Sequence, residues 1–269
     1  VITKNVIKIS NAHTHTNLCD GENSAAEMAE AAYRLGFGAL GFSGHSFCPA
    51  DGFGMDEQTL RQYCSDVYHL KELYHGDMAV YLGLELDSMS EMPPKDAFEY
   101  LIGSVHNIMA PDGQVLPVDM SAEDFAAGID AFGGDALAYV SAYYAAVDEM
   151  LQMRSVDIVG HFDLVCKFNA GNRFFDENSP EYKEIAARVL RRHCRNFIFE
   201  INTGGMSKGY LQRPYPDYWL WEILRDEGAH VIIGTDAHSA AKVDYMLPEM
   251  TKRAVDFGLE VLTIDNICG

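Results

Sequence analysis

The sequence predicts an α/β fold, a single-domain (β/α) barrel of the TIM-like type. Three observations predict it. Apolar runs of strand length recur at Val6–Ile9, Ala39–Phe42, Ala79–Leu84, Tyr100–Ile102, Val156–Val159, Phe197–Ile201 and Val231–Ile233, seven in all. Helical patterns lie between most of them, which is the alternation of βα units. The length of 269 residues accommodates one such barrel of about 250 residues with little left over, so residues 1–269 are read as one domain. No internal repeat, low-complexity tract or Pro-rich linker marks a boundary inside it.

Taken in order, the run Val6–Ile9 is followed by His13-Thr14-His15. Ser24 and Glu27 then form a capping-box pattern ahead of Met28, Ala32 and Leu35, and Gly36 supplies the stop. After Ala39–Phe42, residues Leu60, Tyr63, Val67, Leu70 and Tyr74 recur at helical spacing within 56–75. Ala79–Leu84 and Tyr100–Ile102 are the third and fourth strands, and Ser121 with Asp124 marks the next helix start. Asp135 to Met153 reads as a long helix whose Tyr139, Tyr143 and Tyr144 suit core or groove packing better than a cofactor box. Ser179 before Pro180 opens a further helix between the runs Val156–Val159 and Phe197–Ile201, and Val231–Ile233 completes the series.

There are 20 Lys and Arg against 40 Asp and Glu, a net charge of −20, and a field of that sign repels polyphosphate backbones such as duplex DNA. The basic run Arg191-Arg192-His193-Cys194-Arg195 therefore reads as a solvated helix face rather than a nucleic-acid patch. Cys19, Cys48, Cys64, Cys166, Cys194 and Cys268 show no C-x-x-C spacing and fit reduced thiols in a cytosolic protein. Neither a signal-peptide pattern nor a run of about 18 apolar residues is present, so a cytoplasmic location without membrane contact is expected.

The histidines carry the chemistry. Collecting each His, Asp or Glu that closes a strand-like run gives His13, His15, Asp20, His45, Glu85, His106, His161, Asp236 and His238. A lone histidine beside a strand is more often a satisfied polar residue than a ligand. Here six of the ten histidines follow apolar runs, and His-x-His places both rings on one face of an extended strand. Tetrahedral zinc takes four ligands, so nine candidates imply two or three divalent ions sharing a bridging carboxylate, for which Glu85 is the choice. Mixed imidazole and carboxylate donors without thiolate suit zinc, manganese or iron. Three carboxylates against two or three dications make a cationic pocket, which favours an anionic substrate. His69, His75, His193 and His230 lack this context and are assigned to the surface or to supporting positions.

The motifs His13-Thr14-His15-Thr16 with Cys19-Asp20-Gly21, Phe42-Ser43-Gly44-His45, Gly83-Leu84-Glu85, Gly103-Ser104-Val105-His106, Gly160-His161-Phe162-Asp163 and Gly234-Thr235-Asp236-Ala237-His238 resemble, in order, those of the PHP (polymerase and histidinol phosphatase) superfamily. Glu200-Ile201-Asn202-Thr203-Gly204, then Tyr210 and Pro214-Tyr215-Pro216, resemble its stand-alone histidinol-phosphatase branch. The resemblance implies a distorted seven-stranded (β/α) barrel with three metals at the strand C-termini. It groups His13, His15, Glu85 and Asp236 around one metal, Asp20, His45 and His238 around a second, and Glu85, His106 and His161 around a third. Two departures stand out. Gly44 lies where many relatives carry an acid, and Lys167 and Lys208 lie where arginine is expected to hold phosphate; lysine is a point charge without the bidentate fork.

The activity so implied is hydrolysis of a small-molecule phosphate monoester, L-histidinol phosphate first, by a water activated between metals, in histidine biosynthesis. Lys208 holds phosphoryl oxygens, with Arg213 and Lys167 as further candidates, and Asp163 either protonates the leaving group or orients His161. Asp87 and Glu91 are the acids available to a substrate ammonium. The alternatives are another substrate of the same superfamily, such as a sugar or nucleotide monoester or a nucleic-acid diester, and a metal-binding protein without turnover. Nine ligand positions argue against the last, since a purely structural site is closed by four. The oligomeric state stays open.

Overall fold

The computed structural model describes residues 9–50, 52–94 and 96–269. Its strands are β1 (Ser10–Asn11), β2 (Ala39–Phe42), β3 (Ala79–Asp87), β4 (Tyr100–Ser104), β5 (Asn107–Met109), β6 (Val115–Pro117), β7 (Ile158–Val159), β8 (Ile198–Asn202), β9 (His230–Gly234) and β10 (Glu260–Leu262). Its helices are α1 (Ala25–Arg34), α2 (Glu57–Leu73), α3 (Ala122–Ala131), α4 (Ala136–Met153), α5 (Pro180–His193), α6 (Gly204–Ser207), α7 (Tyr218–Asp226), α8 (Leu247–Phe257) and α9 (Asp265–Cys268). Eight strands form one curled parallel sheet in the order β1-β2-β3-β4-β7-β8-β9-β10, a distorted TIM-like barrel, while β5 and β6 form a separate antiparallel hairpin.

Six of the seven expected strands coincide with sheet strands, and residues 6–8 of the run Val6–Ile9 lie outside the described residues. Seven strands close on themselves at the C-terminal end. There Thr14 bridges Ala237, with His15 N–H donating to the Ala237 carbonyl at 2.9 Å. The eighth strand, β10, pairs with the first residues of β9, at the opposite end. It was not read from the sequence, because the three residues Glu260-Val261-Leu262 carry too little period to register as a strand. The first and seventh of these strands thus meet where the ligand motifs leave them, and an extra strand extends the sheet beyond β9 at the other end.

Strand period two sorts the side chains. Leu82, Leu84 and Leu86 of β3 join the outer core against the helices, while Gly83, Glu85 and Asp87 take the other face. The interior is filled by Ala12, Ala39, Tyr100, Ile102, Ile158, Ile232 and Ile264. Tyr100 is the largest of these, and its ring needs a neighbour without a side chain, since a Cβ on Gly83 would lie 2.2 Å from it. Its hydroxyl donates to the carbonyls of Ala12 at 2.5 Å and Phe42 at 3.0 Å, tying β4 to the β1 and β2 ends.

The helix signals hold at the residue level. Ser24 and Glu27 make the reciprocal capping box of α1, Gly36 follows it at φ +79°, and Asp56, Ser121, Asp135 and Ser179 cap α2, α3, α4 and α5. Tyr139, Tyr143 and Tyr144 are fully buried core residues, as expected. Replacing Tyr100 by Phe removes two buried hydrogen bonds and keeps the ring. We expect a loss of about 1–3 kcal/mol in denaturant unfolding with an unchanged circular dichroism spectrum.

Candidate metal centre

Each ligand motif leaves the barrel at the C-terminal end of a parallel strand, the face where such barrels keep their chemistry. His13 and His15 follow β1, His45 follows β2, Glu85 lies within β3, His106 follows β4, His161 follows β7, and Asp236 and His238 follow β9. Asp20 comes from the loop between β1 and α1. The structure brings all nine expected residues together. Asp236 stands at φ +51° and His161 at φ +20°, positions that non-glycine residues seldom take and that recur at functional sites.

Glu85 is the centre of the group. Its Oε2 lies 3.2 Å from His13 Nε2, 3.4 Å from His15 Nε2 and 3.1 Å from His45 Nδ1. Its Oε1 lies 2.9 Å from His161 Nε2 and 3.4 Å from His106 Nε2, and accepts from Ser104 Oγ at 2.6 Å. Asp20 faces His15 Nδ1 at 3.3 Å, His238 Nε2 at 3.0 Å and His45 Nε2 at 3.6 Å. Asp236 Oδ1 faces His15 Nε2 at 3.1 Å, His238 Nδ1 at 3.4 Å and His13 Nε2 at 3.7 Å.

Among the described residues three sets present ligand atoms all within 4.8 Å of one another: His15, Asp20, His45 and His238; His13, His15 and Asp236; and His45, Glu85 and His106. In this geometry His15 serves two sets and His45 two. Among the described residues, the buried atoms His13 Nε2, His15 Nε2, Asp20 Oδ1 and Glu85 Oε2 have no hydrogen-bond partner. Orphaned imidazole nitrogens and carboxylate oxygens pointed at one another are what a divalent cation satisfies, so the donor set fits metal.

Two carboxylates orient the histidines from behind. Glu200 Oε1 lies 2.8 Å from His13 Nδ1, and its Oε2 accepts from the His161 amide at 3.1 Å and from Asn202 Nδ2 at 2.9 Å. A Cβ on Gly234 would sit 1.8 Å from Glu200 Oε1, so only glycine leaves room for that carboxylate. Asp87 Oδ2 accepts from the His106 amide at 3.1 Å and faces its Nδ1 at 3.3 Å. Such partners fix the tautomer and aim of a ligating ring. Both signals were present in the sequence: Glu200 is the charged residue within a buried apolar strand, and Asp87 follows Glu85 at strand period two on the same face. Asp87 is therefore occupied by His106, and Glu91 is exposed and does not line the cavity.

The candidate phosphate-binding residues separate. A cavity of about 250 Å³ over the ligands is lined by Lys167 and Lys208 together with Asp119, Met120, Phe53, Leu164 and Tyr210. Arg213 and Asp163 lie elsewhere. The Arg213 guanidinium pairs with Asp163 at 3.0 Å, Glu177 at 2.6 Å and Asp217 at 3.1 Å. Asp163 contacts that guanidinium and the Asp217 amide, with no bond to His161, so the expected roles of Arg213 as clamp and of Asp163 as acid or orienter do not match their placement. His193, expected at the surface or in support, is buried against Asp148 at 2.7 Å and joins α5 to α4.

Charge in the cluster is strongly coupled. Burial disfavours the His13 cation, yet Glu200, Glu85 and Asp236 together raise its pKa to about 10. The same contest raises His15, through Asp20, and His106, through Glu85 and Asp87. Burial likewise opposes the Glu85 carboxylate, but the facing imidazoles hold it well below the usual range. In the metal-free chain, then, protons on imidazole do what cations would do, and metal binding must release them. Between about pH 6.5 and pH 10 the folded apoprotein binds more protons at His13 than the unfolded chain, so apoprotein stability falls as pH rises through that window. We expect the melting-temperature gain on adding zinc or manganese to grow between pH 6 and 9, and Asp87→Asn to weaken metal affinity about 10- to 100-fold in a chelator competition.

The match to the PHP domain family spans residues 11–204. The histidinol-phosphatase of Bacillus subtilis is 27% identical over 90% of this chain and 97% of its own. A crystal structure of a candidate histidinol phosphatase from Listeria monocytogenes superposes with a TM-score of 0.76 at 21% identity, over 89% of this chain and 99% of that one. That of histidinol phosphate phosphatase from Lactococcus lactis, complexed with zinc, L-histidinol and phosphate, gives 0.65 at 17% identity, over 95% of each chain. With its motifs in order on the barrel rim and its His and Glu cluster assembled, the chain belongs to the PHP family of metal-dependent phosphoesterases.

Proposed function

We propose that this protein is a phosphomonoesterase that hydrolyses L-histidinol phosphate to L-histidinol and phosphate. The single observation that carries the reading is the convergence of five imidazoles on both oxygens of Glu85 at the floor of a cavity walled by two lysines. The substrate assignment leans on the relatives' names, and the cavity is compatible with it in size and in its mixed apolar and acidic lining.

Two or three divalent ions (zinc, manganese or iron) held by these nine residues would neutralise charge on the phosphoryl group and bring the pKa of a water toward about 7. The chain's own residues do the rest. His13, His15 and Asp236 face one side of Glu85, His106 and His161 the other, and Asp20, His45 and His238 close the outer edge. Glu200 and Asp87 accept from the Nδ1–H of His13 and His106, which fixes the tautomer and leaves Nε2 of each ring to face the metal. Lys208, at the C-terminal end of α6, lines the cavity together with Asp236, whose carboxylate its charge helps to hold ionised, and holds phosphoryl oxygens there. Lys167 supplies a second cation to the same cavity. Arg213 serves the scaffold, with Asp163 as its counter-ion.

The test is a panel of L-histidinol phosphate, p-nitrophenyl phosphate, a nucleoside monophosphate and a nucleic-acid diester with added manganese or zinc. We expect kcat/KM to favour L-histidinol phosphate by more than about 100-fold; comparable rates on every monoester, or turnover of the diester alone, would overturn the assignment. Glu85→Gln should lose metal and about 1,000-fold or more in kcat/KM, while Lys208→Met should keep its metal content and raise KM. His106→Ala at full metal content with wild-type turnover would remove that residue from the centre.

A further inference from the structure

Asn11, the second residue of β1, is fully buried at the seam between β1 and β9. Its Oδ1 accepts from two backbone amides, His13 at 3.1 Å and Thr235 at 3.2 Å. Its Nδ2 donates to Thr235 Oγ1 at 2.6 Å, to Thr14 Oγ1 at 3.1 Å and to the Val243 carbonyl at 3.3 Å. A carboxamide has two acceptor lone pairs and two N–H bonds, so its whole hydrogen-bonding capacity is used here. The partners also fix which atom is oxygen, since two amides need an acceptor and a carbonyl needs a donor.

These partners lie on both sides of the seam. His13 and Thr14 belong to the strand end that carries His13 and His15, while Thr235 and Val243 stand at the two ends of the loop 235–243, which carries Asp236 and His238. One side chain thus ties the bases of both ligand segments. The main chain adds two bonds, His15 N–H to the Ala237 carbonyl at 2.9 Å and Ala237 N–H to the His13 carbonyl at 3.2 Å, and the first residues of β9 pair with β10 instead. The outer part of the loop has separate anchors. Glu22 N–H donates to the His238 carbonyl at 2.7 Å and Ala240 N–H to Asn23 Oδ1 at 2.9 Å, which registers His238 on the Asp20 loop without Asn11.

The carboxamide therefore bears on the set His13, His15 and Asp236. Asp236 stands at φ +51°, a conformation that its surroundings must impose, and its Oδ1 faces His15 Nε2 at 3.1 Å and His13 Nε2 at 3.7 Å. A zinc ion needs each donor at about 2.0–2.2 Å, so a small widening of the seam is felt at once. We propose that Asn11 is a positioning residue of the metal centre, whose carboxamide fixes the gap between the end of β1 and Asp236 and so sets the affinity for the ion that His13, His15 and Asp236 share. The ion of Asp20, His45 and His238 is independent of it. The inference rests on the metal centre and not on the identity of the phosphate ester. Alanine at this position leaves two buried amides and a carbonyl without their partner and frees Asp236 to relax away from the imidazoles. Aspartate keeps the acceptor for both amides, and the hydroxyls of Thr14 and Thr235 can turn to donate to its second oxygen.

The test follows stepwise zinc binding to the full-length apoprotein by chelator competition, with melting temperature and with kcat and KM on p-nitrophenyl phosphate. The variants are Asn11→Ala, Thr235→Val, Asn11→Asp and Asp236→Asn. We expect Asn11→Ala to weaken one zinc step about 10- to 100-fold and to leave the rest within about threefold. Asp236→Asn, which removes a ligand of the same ion, marks that step, and the double variant should bind there no more weakly than Asp236→Asn alone. Thr235→Val keeps the shape and removes one bond, and should weaken the same step about three- to tenfold, while Asn11→Asp should return it to within about threefold of wild type. On the zinc-loaded protein Asn11→Ala should lower kcat with KM within about threefold. If Asn11→Ala lowers the melting temperature with every zinc step as in wild type, or weakens all steps alike, the carboxamide serves the fold alone and the inference is overturned. Should Asn11→Ala fail to fold, unchanged zinc steps in Thr235→Val overturn it equally. Wild type that binds zinc in this way but hydrolyses no monoester keeps the inference and removes the phosphomonoesterase reading; wild type that binds no zinc overturns both.

Discussion

The structure depends on a carboxylate that has no business being where it is unless cations surround it. Glu85 is 1% exposed, at the centre of the barrel rim, with five imidazoles within 3.4 Å of its two oxygens. Burying an isolated carboxylate is prohibitively unfavourable, so the sequence must supply positive charge from every side, as imidazolium or as metal. That requirement explains why the ligands come from strand ends all round the barrel rather than from one segment. It also explains the glycines beneath them: Gly83 admits the Tyr100 ring that ties β4 to β1 and β2, and Gly234 admits the Glu200 carboxylate that steadies His13.

The centre is built in layers of decreasing specificity. The inner histidines and carboxylates meet at ion-pair distance, the carboxylates behind them hold ring orientation, and the cavity wall above is looser, with lysines on partly exposed stems. Fold and metals are compatible with many phosphate esters, so the organic half of the substrate is selected in this outer layer. There Lys167 and Lys208 line the cavity, and there an acidic side chain and two aromatic rings surround the Lys167 ammonium group.

Much of this was legible in the sequence. Strand period, capping residues and the position of His, Asp and Glu at the ends of apolar runs located six sheet strands, the caps of three helices and the nine candidate ligands that the structure brings together, because each signal is local. What was not legible is non-local. Strand β10 is three residues long and exists by pairing with β9. Arg213 was a reasonable phosphate clamp by residue type, but three carboxylates, Asp163, Glu177 and Asp217, converge on it in space and no spacing rule announces that. The Asp119 partner of Lys167 lies 48 residues away, and Asp87 could be read as a free acid until its bond to His106 was seen. The division of ligands was likewise finer than motif order suggests, since His15 and His45 each stand between two groups.

The closure of the barrel has a kinetic side. His238 and Asp20 meet across 218 residues, and the Asn11 amide reaches Thr235 across 224. No partial chain can assemble this centre, because its first and last ligands are stitched to each other through the Thr14–Ala237 bridge. A folding route to it has high contact order and places ligand convergence at the end of the search. On the ribosome the earlier histidines emerge long before their partners and meet no preformed trap. Metal capture therefore acts as a latch on a nearly complete barrel, and the ion retained is decided by the folded rim rather than by whichever thiol or imidazole appears first.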